Sequence, residues 1–432
     1  MLLAGPYRPF WTYVRGLRSN AVALNSAYTI GSYVSMAVLQ GLQFFLLARA
    51  LGSHEFGIVA SVVAITSAFL PFCSLGLGNV AIMHLTRGQA RAEQSLGNGL
   101  AVTTITAAAG VALSLLVGWA FLNEPGVLRL VLLFALSEIL LSKYVDLAAH
   151  VFLGLERQLV AAFFYNFQMF VRTGCAVMLY LGWTQQTALA WAQLHLAGGA
   201  LSAVLVLCIS VRRLGRPRTQ LAAAIADIRK GVFFSILYSA RSVHTDVDKI
   251  VLARLASAST AGTYTAAFRL VSLTCLPITA ILFSLQARIF RKGHKRGLIG
   301  TVSALRQLLF IASAYCLFLG AAIYVGAPAV PLLLGESYGL TTDILRWLCL
   351  LPFFVVLQLL GSAALSGADA QPRVSLLHAL TAALALLLNL LLVPGLGWRG
   401  AVIAAYGAQG FLIAGLAYTI MTRVQAERKA KR

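Results

Sequence analysis

Two short stretches carry side chains able to do chemistry in a chain that is otherwise poor in them. The first is "SEILLSKYVDLAAH", Ser137 to His150. On a helix turning 100° per residue, Glu138, Ser142, Lys143, Asp146 and His150 share about 140° of arc, one polar face over three turns. The second is "SARSVHTDVDK", Ser239 to Lys249. There Arg241, His244, Thr245 and Asp248 follow helical spacing, with Lys249 beside them. Arg172 and Arg269 add two more cations, and Gln40, Gln43 and Asn166 add neutral polar groups. Such a set attracts an anionic group, and its slight excess of cations suits binding that remains reversible. A plainer reading pairs Lys143 with Asp146 and Arg241 with Asp248. Pairing alone does not account for the set, because apolar residues would fill the same positions without the cost of desolvating charge.

Several enzyme-like patterns fail on placement. "DVD" (Asp246–Asp248) resembles a glycosyltransferase motif that belongs in an extramembrane loop, yet here it lies inside an apolar run. His244, Asp246 and Asp248 do not make a metal site, because residues two apart point about 200° away from each other. "SLGLGN" (Ser74–Asn79) lacks the third glycine of a dinucleotide turn and follows no strand; it is expected to permit a bend. No catalytic residue, metal or cofactor is expected.

The polar faces sit on elements of unusual composition. Of the 432 residues, 59% are hydrophobic and 11% charged, against roughly 25% charged in soluble domains. Apolar runs recur along the whole chain, each long enough to cross a hydrocarbon core of about 30 Å. Twelve such spans are expected, centred on 27–48, 57–83, 98–121, 127–151, 159–181, 186–211, 232–254, 262–287, 302–325, 341–366, 373–394 and 400–422. They are continuous rather than alternating, so they predict helices and not a barrel. Pro328 and Pro331 predict a loop before "LGESYG". An ionisable residue at mid-span costs roughly 2.5–3.5 kcal/mol, so the two polar faces are expected to border a hydrated central cavity.

The net charge of +21 is unevenly distributed. "RRLGRPR" (Arg212–Arg218) and "RKGHKR" (Arg291–Arg296) fall in alternate loops with Arg8, Arg15, Arg18 and the basic C-terminus. The opposite loops hold Arg49, Arg129, Arg254 and Arg399. This asymmetry predicts both termini in the cytoplasm. The basic runs lack interleaved aromatics and lie where topology calls for cations, so nucleic acid is not an expected partner; membrane lipid is. The first 26 residues lack a clean apolar stretch, and no cleavable leader is expected. Six cysteines, at 73, 175, 208, 275, 316 and 349, all lie in apolar runs and read as small buried hydrophobes.

The spans are written twice. "LARALGSHEFG" (Leu47–Gly57) and "LARLASASTAG" (Leu252–Gly262) stand 205 residues apart. "FLNEPG" (Phe121–Gly126) answers "LLGESYG" (Leu333–Gly339), "GLERQ" (Gly154–Gln158) answers "GADAQ" (Gly367–Gln371), and "LGW" recurs at 181–183 and 396–398. The shared order predicts two six-helix bundles, residues 1–215 and 216–432, related by a pseudo-two-fold axis along the membrane normal.

The stretches "LARALGSHEFGIVASVVAITSAFLPFCSLGLGNVAIMHLTR" (Leu47–Arg87) and "DKIVLARLASASTAGTYTAAFRL" (Asp248–Leu270) resemble the two matching signatures of polysaccharide-export flippases. "LLGESYG" and "VPGLGWRGAVIAA" (Val393–Ala405) resemble further family positions; Ser257 departs from the pattern where the first half has Gly52. These flippases belong to the multidrug/oligosaccharidyl-lipid/polysaccharide exporter superfamily. The resemblance implies an all-α transporter, not an enzyme, that moves undecaprenyl-diphosphate-linked repeat units across the bacterial inner membrane. It implies a cationic cavity for the glycan and diphosphate, and the deep cations Lys143, Arg172, Arg241 and Arg269 are then the expected contacts of the anionic headgroup. Glu138, Asp146, His244 and Asp248 are then candidates for gating or for coupling an ion, proton or sodium. Polymerase and export machinery would be partners. The competing readings are a cation-coupled multidrug exporter, a peptidoglycan-precursor flippase and a membrane polysaccharide polymerase.

Overall fold

A computed structural model describes residues 21–86, 91–122, 126–368 and 370–430. Arg8, Arg15 and Arg18 lie outside the described residues, as does the side chain of Arg241. Among the described residues the chain is helical throughout, with no strand.

The first helix, α1 (Ala21–Phe69), is broken at Gly52, where φ is 67° and ψ 175°. A side chain there would be strained, so the glycine of "LGSHEFG" is where the chain changes direction. A 3-10 turn over Leu70–Cys73 precedes α2 (Leu77–Thr86). The bend expected from "SLGLGN" lies between them, at Leu75 and Gly76, both with positive φ. The first half continues with α3 (Ala92–Phe121), α4 (Val127–Ala135), a π-helical segment over Leu136–Leu141, α5 (Ser142–Gly154), α6 (Gln158–Tyr180) and α7 (Ala188–Leu214). The second half begins with α8 (Leu221–Leu255) and α9 (Ala258–Thr274). Ser257, the departure from the repeat, caps α9 by accepting a hydrogen bond from the Thr260 backbone N–H at 3.0 Å.

Next comes α10 (Leu276–Gly326), which turns at Gly297 (φ 63°). The carboxylate of Glu427 accepts from the backbone N–H of Leu298 at 2.8 Å and of Ile299 at 3.2 Å, satisfying the groups freed by the turn. The loop expected around Pro328 and Pro331 is instead a series of short helical turns, including α11 (Val330–Leu334). Each proline occupies a first-turn position, where its missing N–H costs nothing. The chain ends with α12 (Gly339–Leu348), α13 (Leu351–Gly367), α14 (Gln371–Leu396) and α15 (Trp398–Ala430).

By length and composition, six helices among the described residues can cross a membrane, and a seventh if Glu336–Leu348 and Leu351–Gly367, bent by 54°, act as one span. Val34–Thr86 covers two of the expected spans. The segments carrying the two polar faces are among those that do not qualify. The outer surface is apolar: Leu332, Val325 and Phe318 are 81%, 78% and 72% exposed. Water would penalise such a surface and a bilayer does not.

The repeated phrases pack against each other. A Cβ on Gly57 would lie 1.8 Å from the Ala258 carbonyl oxygen, and one on Gly262 would lie 1.9 Å from that of Ser53. Between them the hydroxyls of Ser53 and Ser259 meet at 2.9 Å. The contact is reciprocal, as expected where a pseudo-two-fold axis crosses an interface. Tyr338 Oη donates to the Ala48 carbonyl at 3.0 Å and Arg49 to that of Leu333 at 3.2 Å, so the 333–338 segment closes over this end. Apolar packing carries across both halves here, with Phe56 and Val62 in one cluster with Leu252 and Tyr264.

Candidate functional site

Below this crossing lies a cavity of about 430 Å³, walled by α1, α4, the π-helical segment, α6 and α7 from the first half and by α8 and α9 from the second. Gln40 and Gln43 face it from α1. Three cations line it: Arg172, Lys249 and Arg269. So do two carboxylates, Glu138 and Asp246.

Glu138 projects from the π-helical segment, an irregularity that often marks functional helices. Its Oε1 lies 3.0 Å from an Arg172 guanidinium nitrogen and 3.2 Å from His195 Nε2. Arg172 also donates to Ser142 Oγ at 2.6 Å. His195 is held on its other side, with Nδ1 2.8 Å from Ser137 Oγ and its ring against Phe134 and Trp191. In the facing half, Lys249 pairs with Asp246 one helical turn away and lies over the Phe268 ring at 4.9 Å. Asp246 additionally accepts from Ser67 Oγ at 3.2 Å, across from the other half. Arg269 is exposed to the cavity and, among the described residues, has no carboxylate within ion-pair distance. The wall therefore holds three cations against two carboxylates, and Arg269 is the cation that has no carboxylate paired to it alone.

The other sequence candidates lie elsewhere. Lys143, Asp146 and His150 border a separate cavity of about 290 Å³, beside the break between the 3-10 turn and α2. Lys143 Nζ is 3.1 Å from Asp146, which also accepts from Tyr165 Oη at 2.8 Å. The pairing read as the plainer alternative is thus present for these two. His244 and Asp248 border a third cavity, of about 170 Å³, inside the second half. Asp248 is buried, accepts from Tyr264 Oη at 2.7 Å and from the Lys249 backbone N–H at 2.8 Å. His244 Nε2 meets Gln409 Oε1 at 3.2 Å.

The set read from the sequence as one face-lining group is therefore divided among three cavities, and the division follows helix geometry. On α5 and its π-helical lead-in, Glu138 is more than two turns above Asp146, so a single polar face serves two cavities at different depths. On α8, Asp246 points away from His244 and Asp248, as their spacing requires. Asp246 and Lys249 reach the central cavity, whereas Asp248 does not. His195 had no local signal. It is a lone histidine in an apolar run, 58 positions from the Ser137 hydroxyl it meets. No group of three or more His, Cys, Asp or Glu able to hold a metal occurs among the described residues.

Comparison with known proteins places this architecture. The chain resembles an inward-facing multidrug-resistance transporter of the MATE family and MOP superfamily at 15% identity, with TM-score 0.73 over 93% of this chain and 100% of the other. It resembles the lipid II flippase MurJ, in an inward closed conformation, at 14% identity and TM-score 0.72 over 92% and 87%. A MOP-superfamily transporter from Pyrococcus furiosus, described as having a binding pocket of reversed polarity, aligns at 16% identity and TM-score 0.63 over 95% and 98%. No curated protein matches the sequence. Residues 22–285 match the family described as "Polysaccharide biosynthesis protein". With that match over more than half its length, and with the fold of multi-pass MOP-superfamily transporters, the chain belongs to the polysaccharide biosynthesis protein family.

Proposed function

We propose that the protein is a flippase that carries an oligosaccharide linked to undecaprenyl diphosphate across the bacterial inner membrane, for assembly of a surface polysaccharide. The observation that carries this reading is the central cavity between the halves, with Arg269 exposed and unpaired beside two ion-paired cations. A diphosphate is the complementary ligand: Arg269 meets it first, and Arg172 and Lys249 engage it by exchanging Glu138 and Asp246. Those same carboxylates then compete with the headgroup, which keeps binding weak enough for release. The lipid tail stays in the bilayer, and no bond in the substrate is made or broken. The moving bodies are residues 1–215 and 216–432, rocking about the Gly57–Gly262 crossing with both termini in the cytoplasm. Coupling to a proton or sodium ion falls to Glu138, Asp146, His244 or Asp248, none of which is expected to hold a cofactor.

A cation-coupled drug exporter, which the MATE resemblance would suit, calls for an acidic pocket. The excess positive charge on this wall favours the anionic lipid. A strain lacking the protein, fed labelled sugar, is the test. Complete polyprenyl-linked units stranded on the cytoplasmic leaflet, with polymer lost and both restored by the wild-type protein, are the expected result. Units that reach the outer leaflet unpolymerised would identify a polymerase, and normal polymer with increased drug sensitivity would identify an exporter.

A further inference from the structure

A cavity of about 510 Å³, well within the range of ligand pockets, lies in the second half, apart from the three already described. It is lined by Tyr324, Asp343, Arg346, Trp347, Trp398 and Arg399. It stands at the end of the molecule closed by the glycine crossing. Thr342, beside Asp343, donates to the Ala327 carbonyl at 3.3 Å, and Thr341 to that of Thr263 at 3.2 Å. The two indoles meet at 5.8 Å and 84°, forming a corner with one flat face and one edge. Tyr406 Oη donates to the Trp347 carbonyl at 2.9 Å and fixes that corner to α15. Arg346 lies 5.5 Å from the centre of the Tyr324 ring, and Arg399 the same distance from that of Trp398. Arg346 Nε is buried and has no hydrogen-bond partner.

We infer that this cavity is a saccharide-binding site, which takes a pyranose ring of a glycan at the outward end of the protein. A pyranose has an apolar C–H face that stacks on an indole and a rim of hydroxyls that both donate and accept. The corner supplies the ring face, the guanidinium groups supply donors, and Asp343 supplies an acceptor. Aromatic residues at this level also anchor helices at a membrane interface. Here the two rings share an open recess with Asp343, Arg346 and Arg399, polar partners that anchoring alone does not call for. A phosphate headgroup would suit the arginines, but the Asp343 carboxylate in the same recess would repel its charge. That the bound ring belongs to the transported glycolipid, held as it leaves the central cavity, rests on the proposed flippase function; the sugar chemistry of the pocket does not.

The test is saturation-transfer NMR on the full-length protein in lipid nanodiscs. The probes are free glucose, galactose, N-acetylglucosamine and glucuronate, with glycerol phosphate as the headgroup probe. The expected result is saturation of at least one pyranose, strongest on the C–H groups of one ring face. Its Kd should rise about tenfold or more in Trp347→Leu, in Trp398→Leu and in Asp343→Asn. Asp343 is exposed, so its variant reports binding even if the tryptophan variants fold poorly. Absence of saturation by all four sugars, or saturation indifferent to Asp343→Asn, would overturn the inference. Saturation by glycerol phosphate that strengthens in Asp343→Asn would overturn it in favour of a lipid headgroup. Free-sugar binding is read without transport, so its failure leaves the flippase reading standing, and failure of the flippase reading leaves sugar binding standing.

Discussion

Arg269 differs from its neighbours in what it lacks. Arg172 and Lys249 each hold a carboxylate, while Arg269 faces the cavity without one. A charge-assisted hydrogen bond contributes about 1.5–3 kcal/mol. Replacing Arg269 with Gln should therefore lower substrate affinity by roughly ten- to a hundredfold or more, measured on protein in nanodiscs with the lipid-linked sugar. Arg269→Lys should retain part of that affinity, because the charge remains and the planar fork is lost. Glu138 has a second role, in stability. Its carboxylate is shared by Arg172 and His195, and removing it leaves a partly buried guanidinium without its partner, which costs about 1–3 kcal/mol. Glu138→Ala should lower the denaturation midpoint of the purified protein. Adding Arg172→Leu should recover much of that loss without recovering transport. If the single variant is as stable as wild type, the cluster does not stabilise the fold.

At the scale of elements, the two copies of the repeated phrase act as one joint. A methyl group cannot fit where Gly57 and Gly262 approach carbonyl oxygens at under 2 Å from a would-be Cβ. Gly57→Ala should force α1 and α9 apart and open this end of the central cavity. In a cysteine-free background carrying Gln43→Cys, labelling by an impermeant maleimide added from outside should then increase. Unchanged labelling would show that the crossing does not close the cavity. This joint was half legible in the sequence. The repeat located both phrases, but repetition does not say that two segments touch; only the reciprocal fit of the glycines does. The polar faces were similarly half legible. Periodicity placed Glu138, Lys143 and Asp146 on one side of a helix, yet it carries no depth. The π-helical segment shifts register between Glu138 and Lys143, and nothing in "SEILLSK" declares that shift. Asp246 and Lys249, three apart, were a readable pair whose importance came only from which cavity they reach.

For the whole molecule, apolar composition made an all-helical membrane protein readable at once, because no soluble fold tolerates so continuous an apolar surface. The loop expected near Pro328 became short helices, since proline in a first turn assists a helix it would break from within. In the sequence the loop cations follow the positive-inside pattern, and the wall of the central cavity holds three cations against two carboxylates. Attaching a reporter enzyme after the C-terminus should give cytoplasmic activity and no periplasmic activity; the reverse would invert the orientation and place the saccharide pocket in the cytoplasm. The central claim is that this cavity moves an anionic glycolipid from one leaflet to the other. The most direct measurement reconstitutes the purified protein in liposomes with polyprenyl-diphosphate oligosaccharide from the deletion strain and follows the glycan reaching the opposite leaflet with an impermeant sugar-modifying enzyme. The account predicts exchange that depends on the protein and is lost in Arg269→Gln. Exchange equal to that of protein-free liposomes, under an imposed proton or sodium gradient of either direction, would contradict it.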